Sequence, residues 1–194
     1  MADRYQSFKE LAADAQLDTD YCIRASDRGS EVVILAPHGG WIEPMTSEIA
    51  DAIAGTDLSF YAFEALRNGS HGDFHITSHR FDEPTAVELV GRSRFAIAIH
   101  GRGNEGTDAV WLGGRATLLR DAVGASLRDA GFEAEINNKL PGLHKANICN
   151  RTHSGEGVQL ELPRRLRDLL AKDHELLQSF GEAVRNSVLP SSAI

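Results

Sequence analysis

Seven short stretches of this chain carry apolar residues on consecutive or nearly consecutive positions: EVVILAP (31–37), LSFYAFEA (58–65), FHITS (74–78), RFAIAIH (94–100), AVWLGG (109–114), EAEIN (133–137) and GVQLEL (157–162). Runs of this length read as β-strands, and apolar residues at successive positions mark strands covered on both faces. Helical spacing fills the intervals. Met45, Ile49 and Ile53 recur at every fourth position, with Thr46 or Ser47 placed as the N-cap. DEPTAVELVGR (82–92) opens on Asp82 or Glu83 as cap and sets Pro84 in the first turn, where a missing N–H is tolerated. Leu119, Ala122, Val123 and Leu127 form a stripe closed by Gly131. Leu166, Leu169 and Leu170 begin a C-terminal helical region. It resumes after a break near Asp173 through Leu176, Leu177, Phe180, Val184 and Val188. Strands alternating with helices predict an α/β sandwich with a largely parallel or mixed sheet. No repeat or linker divides the 194 residues, so residues 1–194 are expected to form one domain.

In sheets of this kind the ligand crevice lies beyond the carboxyl ends of the strands, which directs attention to polar residues there. His38 ends the first expected strand, His100 ends RFAIAIH, Glu161 lies near the end of GVQLEL, and His79 follows FHITS. A lone histidine in such a place is ordinary. The turn HGGWIE (38–43) is not, because two glycines let the chain reverse and bring Glu43 back toward His38. With His100 from another strand end, these residues make a two-histidine, one-carboxylate set. Catalytic zinc takes such a set while keeping a position for water. Glu161 has two readings. Within an apolar run it either pairs with Arg164 or Arg165, or serves as a general base whose pKa burial raises.

Segment 137–155 holds Lys139, His144, Lys145, Arg151 and His153 and no acid. It reads either as a solvated surface loop or as a crevice wall that binds an anion. Arg151 suits a carboxylate best because its planar fork makes two parallel hydrogen bonds, and Arg102, two residues after His100, is a second choice. His79 could hydrogen-bond a substrate or brace the following helix. His71, His75 and His79 recur every four residues, but no acidic residue accompanies them at a fixed interval, so they are not read as a second metal site. With 28 Asp+Glu against 20 Lys+Arg, a net charge of -8 argues against nucleic-acid binding. Cys22 and Cys149 fit no metal spacing and are expected as free thiols. No apolar run approaches the ~20 residues of a membrane span, and the N-terminal residues lack the apolar core of a signal peptide. The expected setting is cytoplasmic, with no membrane partner.

APHGGWIEPMTSEIA, ITSHRFDEP, AIAIHGRG and GVQLELP resemble the poly-γ-glutamate hydrolase family, best known from Bacillus phages, some of whose relatives carry the label phage-related replication protein. The likeness runs from about Val32 to Leu170. It implies a carboxypeptidase A-like three-layer α/β/α sandwich and one zinc per chain, held by His38, Glu43 and His100, with Glu161 as the catalytic glutamate. Carboxypeptidases usually space the first two ligands as His-x-x-Glu, whereas four residues separate His38 from Glu43 here. Asn150–Arg151 is similar to the Asn-Arg pair of carboxypeptidases over two residues only. The implied substrate is an anionic γ-glutamyl amide, with Arg151, Arg102, His79, Lys145 and His144 as its binding residues. Deacylation of a small N-acyl amino acid and a non-catalytic replication role are the alternatives.

Overall fold

In the computed structural model, which describes residues 3–69 and 71–188, one mixed sheet of seven strands runs through the chain. The strands are β1 (Tyr21–Ser26), β2 (Val32–Gly40), β3 (Ser59–Ala65), β4 (Phe95–Arg102), β5 (Val110–Gly114), β6 (Ala134–Ile136) and β7 (Val158–Pro163), in the order β1-β3-β2-β4-β7-β5-β6. β3, β2, β4 and β7 are parallel neighbours. β1 lies antiparallel on β3 and β5 antiparallel on β7, while β6 runs parallel to β5. Helices cover both faces. On one side are α2 (Thr46–Ala54), α5 (Thr117–Asp129), α6 (Arg164–Leu170) and α7 (His174–Val188). On the other are α1 (Phe8–Asp14), the single turn α3 (His71–Phe74), α4 (Pro84–Arg92) and a 3-10 turn at Ile148–Asn150. The result is the three-layer α/β/α sandwich expected.

The two-sided burial follows from the strand pleat. Along β4, Ile97 and Ile99 pack under α2 and α6, while Ala96 and Ala98 face the α1/α4 layer. Next on that second face comes His100, and its counterpart across β7 is Glu161. The acid–base residues are therefore a continuation of the alternation that builds the core.

Three expectations fail locally. FHITS is not a strand. Phe74 closes a helical turn, and Phe74 and Ile76 are buried in the α1/α4 core, so the apolar signal recorded burial without a ladder. β1 and α1 gave no apolar run. β1 is an edge strand with a half-exposed pattern interrupted by Arg24, as edges usually are. Neither Thr46 nor Ser47 caps α2: the cap position is Met45, in a left-handed conformation at φ 76°, and the Thr46 hydroxyl donates to the Glu43 carbonyl instead. Glu83 does cap α4, accepting from the Thr85 and Ala86 amides. The helical break falls at Asp173, between α6 and α7.

Gly40 combines a left-handed conformation with a close backbone approach near the site. Its φ is 61°, and a Cβ there would lie 2.3 Å from the Ala65 carbonyl oxygen. Gly29 has a similar φ of 68° in open space. Gly29→Ala should therefore cost about 1 kcal/mol and Gly40→Ala about 2–5 kcal/mol, the excess being steric. Denaturant midpoints of the two variants check this, and equal losses would show that the approach to Ala65 does not matter.

Candidate active site

The site is assembled where β2, β4 and β7 end side by side. Parallel register sets His100 directly opposite Glu161. On the other flank, β2 does not stop at His38. Its pairing with β3 jumps between Ala36 and Gly39, which inserts one extra residue. Such a bulge turns a side chain off the ladder, and here it is Pro37–His38 that is turned. β2 then runs on to Gly40, and the chain closes a turn in which the Glu43 amide donates to the His38 carbonyl at 2.9 Å. The Gly-Gly pair is required by space as well as by flexibility, since a Cβ on Gly39 would meet the Ser47 hydroxyl at 2.0 Å.

Three donors converge as a result. His38 Nδ1 lies 3.3 Å from Glu43 Oε1, His100 Nδ1 lies 3.7 Å from Glu43 Oε2, and the two Nδ1 atoms are 3.2 Å apart. Four ligands about 2.0–2.1 Å from a tetrahedral zinc are about 3.3–3.4 Å from one another, so this donor set fits that ion. The ring orientations agree. His38 Nε2 donates to the Ile76 carbonyl at 2.8 Å, which orients the ring and turns Nδ1 toward Glu43. Two imidazole nitrogens facing each other at 3.2 Å require a proton or a cation between them. His38, Glu43, His100 and Glu161 are residues at most 7% exposed.

Electrostatics separates the two carboxylates. Burial alone would raise Glu43, but the facing His38 and His100 hold it well below the usual carboxylate range. Burial works on His38 in the lowering direction, and Glu43 overrides it and raises the ring. Glu161 goes the other way: burial raises it, helped by the charge of Glu43, against the opposing pull of His100. Its Oε1 accepts from Gln159 Nε2 at 2.8 Å, and Asn147 holds Gln159 in turn. The arginines expected as partners for Glu161 pair elsewhere, Arg164 with Asp168 and Arg165 with Asp108.

A cavity of about 1010 Å³ opens over these groups. His79 and His144 line it, with ring centroids 5.0 Å apart, and so does Lys139. Among the described residues, Arg151 and Lys145 do not. The Arg151 guanidinium donates to the Ala146 and His79 carbonyls, and Asn150 Nδ2 donates to those of Gly142 and His144. The Asn-Arg pair therefore braces the loop behind the wall. Arg102 reaches the cavity, yet its guanidinium is bound to the carbonyls of Gly103, Asn104 and Ala109 and stacks on Trp111 at 3.8 Å. Cys22 and Cys149 are free.

His75, set aside in the sequence, belongs to the site. His38, Glu43 and His75 could hold a metal ion, with ligand atoms within 4.8 Å of one another. His100 approaches the same carboxylate through its other oxygen, at 3.7 Å. The His75 ring stacks against His38 at 4.2 Å and points Nε2 at Glu43 from 4.0 Å. Its Nδ1 is 2.7 Å from Asp3, whose other oxygen accepts the Thr77 amide. Burial, then the neighbouring His38, pushes His75 down to about 4. Nothing local announces this role, because Asp3 lies 72 residues away and His38 and Glu43 come from the end of β2 and the turn after it; the four-residue histidine spacing was the available signal.

A buried glutamate of raised pKa beside a two-histidine, one-carboxylate cluster, at the carboxyl edge of a covered α/β sheet, is an arrangement suited to hydrolytic chemistry. The comparisons narrow the class. The chain belongs to the poly-γ-glutamate hydrolase family, whose description "Poly-gamma-glutamate hydrolase" matches residues 5–186. It is 36% identical over 188 residues to the SPbeta prophage-derived UPF0714 protein YoqZ of Bacillus subtilis (strain 168), covering 95% of this chain and 65% of that relative. The chain thus spans about two thirds of that protein's length. A solved bacteriophage poly-γ-glutamate hydrolase superposes with a TM-score of 0.92 at 26% identity, covering 96% of this chain and 97% of that one. A zinc-free apo structure of YNDL gives 0.90 at 31% identity, over 98% and 100%.

Asp3 ties the N-terminal segment to the site, and burial notwithstanding, Thr77 and then His75 lower its pKa to about 2. A folded pKa below the unfolded value stabilises above the unfolded pKa, and that contribution fades as pH falls through the folded one. Asp3→Asn should therefore cost about 1.5–3 kcal/mol at pH 7, and the deficit should narrow below about pH 4. Thermal melts of both proteins across that range test it; a gap independent of pH would mean that the carboxylate's charge is not what matters.

Proposed function

We propose that the protein is a zinc-dependent amide hydrolase cleaving γ-glutamyl bonds of poly-γ-glutamate. The observation that carries the reading is the convergence of His38 Nδ1, His100 Nδ1 and the Glu43 carboxylate within 3.2–3.7 Å, with Glu161 across the strand pair from His100. His38, His100 and Glu43 would hold the ion, with His75 packed alongside. Zinc, when bound, acidifies a coordinated water and polarises the scissile carbonyl. Glu161 accepts the proton of the attacking water and returns it to the leaving amine, a role matched to its raised pKa. Gln159 keeps one Glu161 oxygen hydrogen-bonded, which fixes the carboxylate's orientation.

The cavity wall gives the substrate its direction. Each unit of the polymer carries a free α-carboxylate, and the wall offers the His79 and His144 rings and Lys139, whose ammonium is shared with Glu105 at 2.9 Å. Arg102 and Arg151 shape the wall through carbonyls of its own backbone. The resemblance to a phage hydrolase supports the polymer over a small N-acyl amino acid.

The decisive experiment is incubation of the zinc-loaded protein with poly-γ-glutamate while polymer length is followed. Unchanged length together with turnover of N-acyl amino acids would replace the polymer by a small substrate. His38→Ala and His100→Ala should each lose zinc by metal analysis. Glu161→Gln should keep it while turnover falls by about 10²–10⁴; a near-normal rate would leave Glu161 a structural residue.

Arg151 offers a separate check. Because its guanidinium holds the wall and does not line the cavity, Arg151→Ala should lower kcat/KM equally on γ-glutamyl amides with free and with blocked α-carboxylates. A loss confined to the free acid would restore Arg151 as the reader of that carboxylate.

A further inference from the structure

Arg167, on α6, is 4% exposed and makes no ion pair among the described residues. A buried guanidinium without a carboxylate is uncommon, and its hydrogen bonds show what it does instead. Nη1 donates to the Pro44 carbonyl at 2.6 Å, Nη2 to that of Arg102 at 3.2 Å, and Nε to that of Leu162 at 3.3 Å. Pro44 follows Glu43, Arg102 lies two residues beyond His100, and Leu162 follows Glu161. One side chain thus joins the three segments that carry the carboxylate ligand, a histidine ligand and the base.

We propose that Arg167 is a positioning residue that clamps these three segments together and so sets the spacing of the metal donors and of Glu161. The proposal rests on the zinc-hydrolase reading for its consequence, though not for its geometry. A second observation supports it independently. A Cβ on Gly101 would lie 2.6 Å from Arg167 Cζ and 2.9 Å from both Nε and Nη1, so glycine at 101 is what admits the guanidinium. The Gly101 amide, in turn, donates to Glu43 Oε2 at 2.8 Å, linking the clamped backbone directly to the metal ligand. Lysine cannot substitute, because three carbonyls in different directions need the planar fork.

Two variants keep the charge and disturb the clamp from opposite sides: Arg167→Lys, and Gly101→Ala, whose methyl displaces the guanidinium. For each, zinc affinity by competition with a chromogenic chelator should fall about tenfold or more. On poly-γ-glutamate kcat should fall about 10–100-fold, with KM within about threefold of wild type. In metal-free protein, hydrogen exchange at the Gly101 amide should quicken. Combined with Arg167→Lys, Gly101→Ala should add little, because the shorter flexible lysine yields to the methyl. Additive losses, or a folded Arg167→Lys protein with wild-type zinc affinity, kcat and exchange, would overturn the clamp. If Arg167→Lys does not fold, Gly101→Ala alone decides by the same readouts. Exchange and zinc affinity are read without substrate. A wild type that binds zinc yet leaves the polymer intact therefore fails the functional reading, while the clamp is still judged.

Discussion

Burying four titratable side chains at one edge of a sheet is the constraint around which this protein is organised. His38, Glu43, His100 and Glu161 are all nearly inaccessible, and an isolated ionised carboxylate in such surroundings costs several kcal/mol. The structure offsets that cost differently for the two acids. Glu43 lies between two imidazoles and accepts the Gly101 amide, so its charge is neutralised and hydrogen-bonded. Among the described residues Glu161 receives one neutral amide donor and no ion pair, so its ionised form remains costly. One acid is thereby held ionised and the other is left disposed to take a proton. Environments that drive two carboxylates apart in this way assign acid–base roles within a shared cavity.

The sheet topology makes that arrangement attainable. β2, β4 and β7 are consecutive parallel neighbours, so their carboxyl ends meet without long excursions of chain. The pleat alone would leave His38 on its ladder. The bulge before Gly39 and the tight turn to Glu43 supply the correction, and both depend on glycines packed against β3 and α2. Sites built on strand ends keep their geometry better than sites on loops, provided a surrounding shell holds the ends. Here that shell is largely backbone: Ile76, Pro44, Arg102 and Leu162 contribute carbonyls.

What could be read from the sequence follows from this division. Interior strands announced themselves because burial on both faces leaves consecutive apolar residues, and His38, Glu43, His100 and Glu161 stood out as polar exceptions at their ends. The edge strand β1 was invisible, since its outer positions carry charge such as Arg24. FHITS misled because Phe74 and Ile76 are buried without forming a ladder. The roles of Asp3 and Arg167 were not legible at all, and that of His75 left only the four-residue histidine spacing as a sign. Each acts through partners distant in sequence, 123 residues away for Arg167 and Pro44, and no local pattern encodes such a contact.

The arginines show the same limit from the opposite side. A cation-rich segment in a chain of net charge -8 invites the inference that its arginine, Arg151, meets an anionic substrate, as the position of Arg102 after His100 does for that residue. Yet Arg102, Arg151 and Arg167 all donate to backbone carbonyls. Loops that fold over a sheet edge leave carbonyls that no ladder accepts, and in a partly buried wall each needs a donor. Guanidinium groups, with five donors on one plane, satisfy several at once while still contributing a positive potential to the cavity. A polyanion can thus be drawn to the crevice by cations it never touches. At the surface of that wall lie His79 and His144, together with Lys139, whose ammonium is paired with the Glu105 carboxylate at 2.9 Å.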